Sequence, residues 1–293
     1  MLKDSNVGAE ITISGLVKGV ENKLCSNGTN AIFFTIITRD ETFIAKKWRA
    51  EQPINVDDYN GKVLKMVGKV NEYQGVREIT LDSFEFSDEP AVNFVKSLDI
   101  QKLSDEFIAF LNNNLSKEYY QVLVSILKDV GYERFALCPA ATSHHDNIVG
   151  GLIHHTLKML RIATVVIANN HFEDIANRIY LGIALHDIGK IYCYKQTTEV
   201  TDDIWVDHKT FGIEILAQHK DMIVEQIGVD EYKQLQAIII GHHGEFGEPC
   251  RSITTQIINY IDSLDANVTG IEQAINEAGT AKEIKFDGKY LHI

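Results

Sequence analysis

The chain has 293 residues, 45% hydrophobic and 24% charged, a balance that excludes disordered, collagen-like and fibrous proteins and leaves room for two domains. Its 41 acidic residues outnumber 28 basic ones, giving a formal net charge of −13. A general polycation that coats nucleic acid is therefore excluded, and any nucleic-acid contact must come from a local patch, aromatic stacking or bound metal.

The opening Met-Leu-Lys-Asp-Ser-Asn lacks the apolar stretch of a signal peptide, and no apolar run approaches the roughly 20 residues of a membrane span. A cytoplasmic protein with no membrane partner is expected. Five segments rich in β-branched and aromatic residues follow, at 10–17, 31–38, 42–48, 62–70 and 76–86, separated by Gly, Asn and Asp clusters. Five short strands in about 80 residues predict a closed barrel of the OB type. Gly15 and Gly68, inside strands, suit the bulges or tight bends that close such barrels.

After Asp88-Glu89-Pro90 the spacing becomes helical: Phe107, Ile108, Leu111 and Leu115, then Tyr119, Leu123, Ile126 and Leu127, recur at three to four residues. Helices are predicted at 152–168, 175–186, 210–219, 230–240 and 253–267, and a hairpin at 283–291 around Asp287-Gly288. The expected division is a barrel over 1–88, a helical spacer over 89–135 and a helical domain over 136–293. Residues 1–90 hold 11 basic and 14 acidic side chains against 17 and 27 in the remainder, so the barrel is the less acidic part. Lys46, Lys47, Arg49, Lys62, Lys65, Lys69 and Arg77 are candidates to line one barrel face with Phe34, Trp48 and Tyr73, a mixture suited to stacking bases and tracking phosphates. The alternative is that the aromatics fill the barrel and the lysines only solubilise it.

Four scattered cysteines, Cys25, Cys138, Cys193 and Cys250, form no Cys-x-x-Cys pair and read as reduced thiols. The histidines are more telling, because ten of eleven fall between 144 and 243. His144-His145, His154-His155, His186-Asp187, His208 and His242-His243 occur in order, with Asp262 and Asp265 beyond. Imidazole plus carboxylate is a ligand set for divalent ions such as Mn²⁺, Fe²⁺, Zn²⁺ and Ni²⁺, and ligands on facing helices can converge in a bundle core. The strongest element is Ala184-Leu-His186-Asp187-Ile-Gly189-Lys190, an apolar helix that ends in His-Asp and then breaks at Gly. A bundle with ordinary core and surface histidines is the alternative, and it would suit any one of these residues better than it suits all of them in this order.

This pattern of His155, then His186-Asp187, then Asp262 resembles the signature of the HD phosphohydrolase superfamily. The order of barrel, spacer, Gly150-Gly151-Leu-Ile-His-His155, Leu185-His-Asp-Ile-Gly-Lys190, Gly241-His-His-Gly-Glu-Phe-Gly-Glu-Pro249 and Tyr260-Ile-Asp-Ser-Leu-Asp-Ala266 is similar, over essentially the whole chain, to the YhaM-type 3′→5′ exoribonucleases. The resemblance implies an OB-fold joined to an all-α HD domain and a metal-dependent 3′→5′ exoribonuclease acting on single-stranded RNA, with single-stranded DNA left open. It implies two divalent ions, manganese first and Fe²⁺, Ni²⁺, Zn²⁺ or Mg²⁺ as the others such ligands accept. One ion would be held by His155, His186, Asp187 and Asp262, with Asp187 bridging to a second on His208, His242 and His243. Lys190 is a candidate phosphate contact, its alternative being a helix-end lysine. His144 and His145 are candidate substrate contacts, and Asp265 a support for a ligand histidine. His154 stands where HD proteins often have another residue and is not carried over as a ligand. His171, His219 and His292 show no companion and read as surface residues. A homo-oligomer is implied by resemblance alone. The rival readings are an HD-type cyclic dinucleotide or nucleotide phosphodiesterase, whose usual Gly-Tyr-Pro is replaced here by Gly244-Glu-Phe-Gly, and a non-catalytic single-strand-binding factor.

Overall fold

The computed structural model describes residues 2–141, 148–195, 205–244, 247–279 and 282–293. The chain separates into two compact units, 1–96 and 97–293. In the first, β1 (Glu10–Leu24), β2 (Asn30–Ile37), β3 (Thr42–Ala50), β4 (Val63–Tyr73) and β5 (Val76–Phe86) form a closed barrel in the order β1-β2-β3-β5-β4. Every pairing is antiparallel except β3 with β5. Strand alternation builds the core: Leu64, Met66 and Val70 of β4 point inward and are buried, while Lys65, Val67 and Lys69 point out. Gly68 marks a register shift between β4 and β5, and a Cβ there would lie 2.2 Å from the Thr80 carbonyl oxygen. At Gly15 no register shift occurs. The glycine instead admits the side chain of Ile36, whose Cγ2 would be 2.3 Å from a Cβ.

β1 runs seven residues beyond its predicted end. Its first half pairs with β4 and its second with β2, across an irregularity between Val17 and Gly19. The second half, Lys-Gly-Val-Glu-Asn-Lys-Leu, is largely exposed, so neighbouring strands rather than its own apolar pattern hold it.

The second unit is helical: α1 (Ile100–Asn114), α2 (Lys117–Val130), α3 (Tyr132–Leu137), α4 (Gly151–Asn170), α5 (Ala176–Leu185), α6 (Lys190–Cys193), α7 (His208–Gln218), α8 (Lys220–Ile227), α9 (Val229–Gly241) and α10 (Ile253–Ala278). The spacing did not reveal α8, whose eight residues are shorter than the window periodicity needs, and α10 runs eleven residues further than predicted. One apolar core takes in α1 and α2 together with α4, α5, α7, α9 and α10, including Phe107, Leu123, Leu160, Ile183, Ile238 and Ile258. α4 is long and apolar enough to cross a membrane by length and composition, yet more than half of it is buried in that core. The predicted hairpin forms from β6 (Glu283–Phe286) and β7 (Lys289–His292). Asp287 and Gly288 both take positive φ, 47° and 72°, as a two-residue turn of this hand requires. Phe286 packs over Gly270 of α10, where a Cβ would stand 2.7 Å from its ring.

Candidate metal centre and nucleic-acid cleft

Seven residues singled out by the sequence arrive from five helices. His155 lies in the second turn of α4, His186 and Asp187 follow α5, His208 opens α7, His242 and His243 follow α9, and Asp262 stands within α10. Gly189 does not break the helix by backbone freedom, since its φ is an ordinary −67°. Space is what it supplies: a Cβ there would lie 1.9 Å from the His208 carbonyl oxygen and 2.6 Å from the Gly212 nitrogen. The missing side chain lets the start of α7 close on the turn that carries Asp187. Asp207 caps α7 by accepting from the Thr210 N–H at 2.9 Å, which fixes the turn from which His208 projects.

Asp187 is the centre of the cluster. Its Oδ1 faces His208 Nε2 at 3.4 Å and His242 Nε2 at 3.6 Å. Its Oδ2 faces His186 Nε2 at 3.0 Å and Lys190 Nζ at 2.7 Å. His155 Nε2 stands 3.2 Å from Asp262 Oδ1, and His243 Nε2 3.2 Å from His208 Nε2. Ligand atoms of His155, His186 and Asp187 lie within 4.8 Å of one another, as do those of His208, His242 and His243.

Hydrogen bonds fix which nitrogen is available. The Nδ1 of His186 and of His242 donates to the carbonyls of Ile183 and Ile239, at 2.8 and 2.9 Å. A carbonyl can only accept, so each Nε2 presents a lone pair when the ring is neutral. His155 Nδ1 is 2.7 Å from Asp265 Oδ2, and Lys158 Nζ lies 3.1 Å from the other Asp265 oxygen. Asp265 thus supports His155, as its position three residues after Asp262 suggested.

Three atoms of this cluster, His186 Nε2, Asp187 Oδ1 and His242 Nε2, are buried with no hydrogen-bond partner among the described residues. Each such atom costs about 1–3 kcal/mol when nothing binds it, and the two imidazole nitrogens face the two oxygens of Asp187. Imidazole nitrogens with carboxylate oxygens are the donor set of a divalent cation, and the residues fit one.

Burial and charge tune these groups in opposite directions. Burial opposes charge on His155, but Asp262 and Asp265 outweigh it and raise its pKa to about 9. For His208 burial dominates and lowers the pKa to about 3. Burial, then His242, lowers that of His243 to about 4. Burial would raise Asp187, yet His186 and Lys190 hold it well below the carboxylate range. Asp262 is likewise held low against burial, by His155. Burial opposes the charge of Lys190, and Asp187 restores and raises it.

A cleft of about 330 Å³ opens on this cluster, lined by His155, Asp187, Lys190, His243, Asp262 and, unforeseen, Asn259. Asn259 Nδ2 donates to the His242 carbonyl at 2.7 Å. Its place three residues before Asp262 on one helix was the available signal. His144 and His145 lie outside the described residues. His219 is not without companion: its Nε2 is 2.9 Å from Asp129 Oδ2. His171 ends α4 in the left-handed region, and His292 is exposed beside Glu283.

In the barrel the expectation for Phe34 is corrected. Its side chain is wholly buried and its ring packs against Tyr59 and Phe84, so no base can stack on it. Adjacent strand residues point to opposite faces, and the outward ring is Phe33. A cleft of about 570 Å³ is lined by Lys23, Phe33, Thr35, Ile44, Lys46 and Tyr73 among others. Lys46 Nζ stands 5.3 Å from the Phe33 ring centre and 5.1 Å from that of Tyr73, and Lys23 Nζ 4.7 Å from Phe33. Trp48 meets Phe33 edge-on at 5.4 Å and is half-exposed, as is Tyr73. The basic residues do not share one face. Lys47 donates to the Asp82 carbonyl, Lys65 and Lys69 pair with Glu85 and Glu10, and Arg77 pairs with Glu72.

Comparison with known proteins covers both units. Residues 152–267 match the HD domain family, and this domain implies divalent metal. Along the chain, a 3′-5′ exoribonuclease YhaM of Bacillus pumilus is 28% identical over 285 residues, covering 92% of this chain and 89% of the relative. The protein of that name from Bacillus subtilis is 28% identical over 284 residues, covering 92% and 88%. One from Geobacillus is 26% identical over 292 residues, covering 92% and 86%. Among solved structures, the second OB-fold domain of replication protein A from Methanococcus maripaludis matches 31% of this chain and 95% of its own, at 14% identity and a TM-score of 0.23.

Proposed function

We propose that this chain, which carries an HD domain over residues 152–267 and has relatives named 3′-5′ exoribonuclease YhaM along 92% of its length, is a metal-dependent 3′→5′ exoribonuclease. Its substrate in this reading is single-stranded RNA, and single-stranded DNA is a second polymer worth assaying. The barrel, assigned to 1–88, gathers the strand through Phe33, Tyr73 and Trp48. Residues 89–135 serve as spacer, and 136–293 hydrolyse the phosphodiester.

One observation carries the reading: ligand atoms of His186 and His242, buried and without a hydrogen-bond partner among the described residues, face the two oxygens of Asp187 from either side, beside a cleft that His155, Lys190 and Asp262 also line. His155, His186, Asp187 and Asp262 would hold one divalent ion and Asp187, His208, His242 and His243 a second, manganese being the ion the resemblance favours. When bound, such ions supply an activated water and neutralise charge on the phosphate in the transition state. Asp187 has an oxygen for each group: Oδ1 toward His208 and His242, Oδ2 toward His186. Lys190, held charged by Asp187 at 2.7 Å, faces the cleft as a point charge for a phosphate oxygen. The Ile183 and Ile239 carbonyls fix the orientations of the His186 and His242 rings, and Asn259 holds the backbone carbonyl of His242. A homo-oligomer and a cytoplasmic location belong to the same reading, from the resemblance and the thiol-bearing acidic composition.

The test is 5′-labelled single-stranded RNA incubated with EDTA-treated protein restored with Mn²⁺. A ladder shortening from the 3′ end is expected, absent without metal and absent in Asp187→Ala, which should still bind the strand. Retention of normal turnover by Asp187→Ala would sink the reading.

A further inference from the structure

α10 presents three faces. Ile258, Ile261 and Asp265 are buried, and Asn259, Asp262, Ser263, Ala266 and Asn267 line the cleft. A third, continuous stripe is apolar and exposed: Ile253, Tyr260, Leu264 and Val268, each at least half open to solvent. Residues three apart on a helix are surface neighbours, so Tyr260 lies beside Ser263 and Leu264 beside Asn267, on the face next to the one that lines the cleft. A tyrosine 67% exposed there, two residues before Asp262, leaves its side chain open to a partner. Among the described residues the cleft is also short of free positive charge. Lys190 is paired with Asp187, and Lys209, near Gly247, faces Asp207 at 3.6 Å. A polyanion entering this acidic unit gains from contacts beyond Lys190 and the metal centre, and stacking on an aromatic face is the contact least sensitive to net charge.

We propose that Tyr260 stacks a base at the 3′ end of the strand and so positions the terminal phosphodiester over the metal centre. This rests on the exoribonuclease reading and adds a binding residue to it. The hydroxyl plays no part, because the face of the ring is what a base requires. Contact through a π-face also makes the site tolerant of base identity, as a nuclease that proceeds along any sequence needs.

The experiment compares wild-type protein, Tyr260→Ala and Tyr260→Phe on 5′-labelled oligoadenylate with Mn²⁺, and on the same oligomer with abasic residues at its last two 3′ positions. On the intact strand, Tyr260→Ala should raise KM about 5- to 150-fold, the range of one lost stacked base, while Tyr260→Phe matches wild type. On the abasic-ended strand, wild type should show the same loss and Tyr260→Ala no further one. An unchanged KM in Tyr260→Ala, or an equal loss on both strands, overturns the role. So does a change in sedimentation mass of Tyr260→Ala, which would mean that a second copy covers the stripe. If wild type releases no nucleotide from RNA, the exoribonuclease reading itself fails and this role with it.

Discussion

Metal loading should be linked to one proton, and to the right one. In the metal-free protein His155 has a pKa of about 9 because Asp262 and Asp265 flank it, so at pH 7 it is almost entirely protonated. An ion bound at Nε2 must displace that proton. The group lies two pH units above the working pH, so binding at this site at pH 7 is about a hundredfold weaker than at a pH above 9, or about 2.7 kcal/mol. Between pH 6.5 and 7.5 the affinity of the ion that uses His155 should rise about tenfold. His208 and His243, at about 3 and about 4, are already neutral and contribute no proton. Isothermal titration of Mn²⁺ at pH 7 in buffers of different ionisation enthalpy should therefore report about one proton released for the pair of ions. Asp265→Asn, which removes one of the two carboxylates that raise His155, should flatten the pH dependence. A dissociation constant constant from pH 6.5 to 7.5, with heats independent of buffer, would refute the assignment. The same group predicts the sign of pH-dependent stability. Metal-free protein carries the full stabilisation of charged His155 below about pH 6.5, and loses it as pH rises through about 9, roughly 3 kcal/mol in all.

Three further substitutions separate packing from chemistry. Gly189→Ala forces a Cβ to within 1.9 Å of the His208 carbonyl, so the metal-free protein should lose at least about 1–3 kcal/mol in a denaturant melt and should bind less than two ions per chain. A melt and metal content like wild type would show that α7 shifts freely. Phe34→Ala should destabilise the barrel by about 3–5 kcal/mol as read by its unfolding transition. Phe33→Ala should leave that transition nearly unmoved and weaken single-strand binding about 5- to 150-fold in a fluorescence titration. The reverse pattern would invert the assignment of the two faces.

The metal centre was legible because its donors are chemically distinctive and fall in a recognisable order; His155, His186, Asp187, His208, His242, His243 and Asp262 needed no packing information to be singled out. What the order could not convey was which atoms are free. That depends on Ile183 and Ile239 carbonyls and on Asp265, contacts that only the fold makes. The barrel face was harder. Phe33 and Phe34 are adjacent and identical, so composition cannot say which points inward; the parity of Ile32, Phe34 and Ile36, all buried, decides it once β2 is placed. Lys23 escaped notice because the half of β1 that bears it has no apolar alternation, and α8 because it is too short to show a period.

The charge of the chain leads to a last expectation, for binding rather than cleavage. The barrel cleft has two lysines, Lys23 and Lys46, and both already have carboxylate partners, Glu21 at 3.3 Å and Glu78. Glu21 and Glu78 line the same cleft, so each lysine can neutralise a phosphate only by giving up part of an existing pair. At most two phosphates are then neutralised there. For a single strand each contact contributes about −0.7 to the slope of log K against log salt, so two set a limit of about −1.4. Rings supply the remainder, and their contribution hardly depends on salt. With Lys190 as a third contact, titrating labelled single-stranded RNA into the whole metal-stripped protein between roughly 50 and 200 mM salt should give a slope no steeper than about −2.1. A slope beyond about −3 would mean four or more phosphate contacts, more than Lys23, Lys46 and Lys190 can make. Stacking would then not be how so acidic a chain holds its polymer.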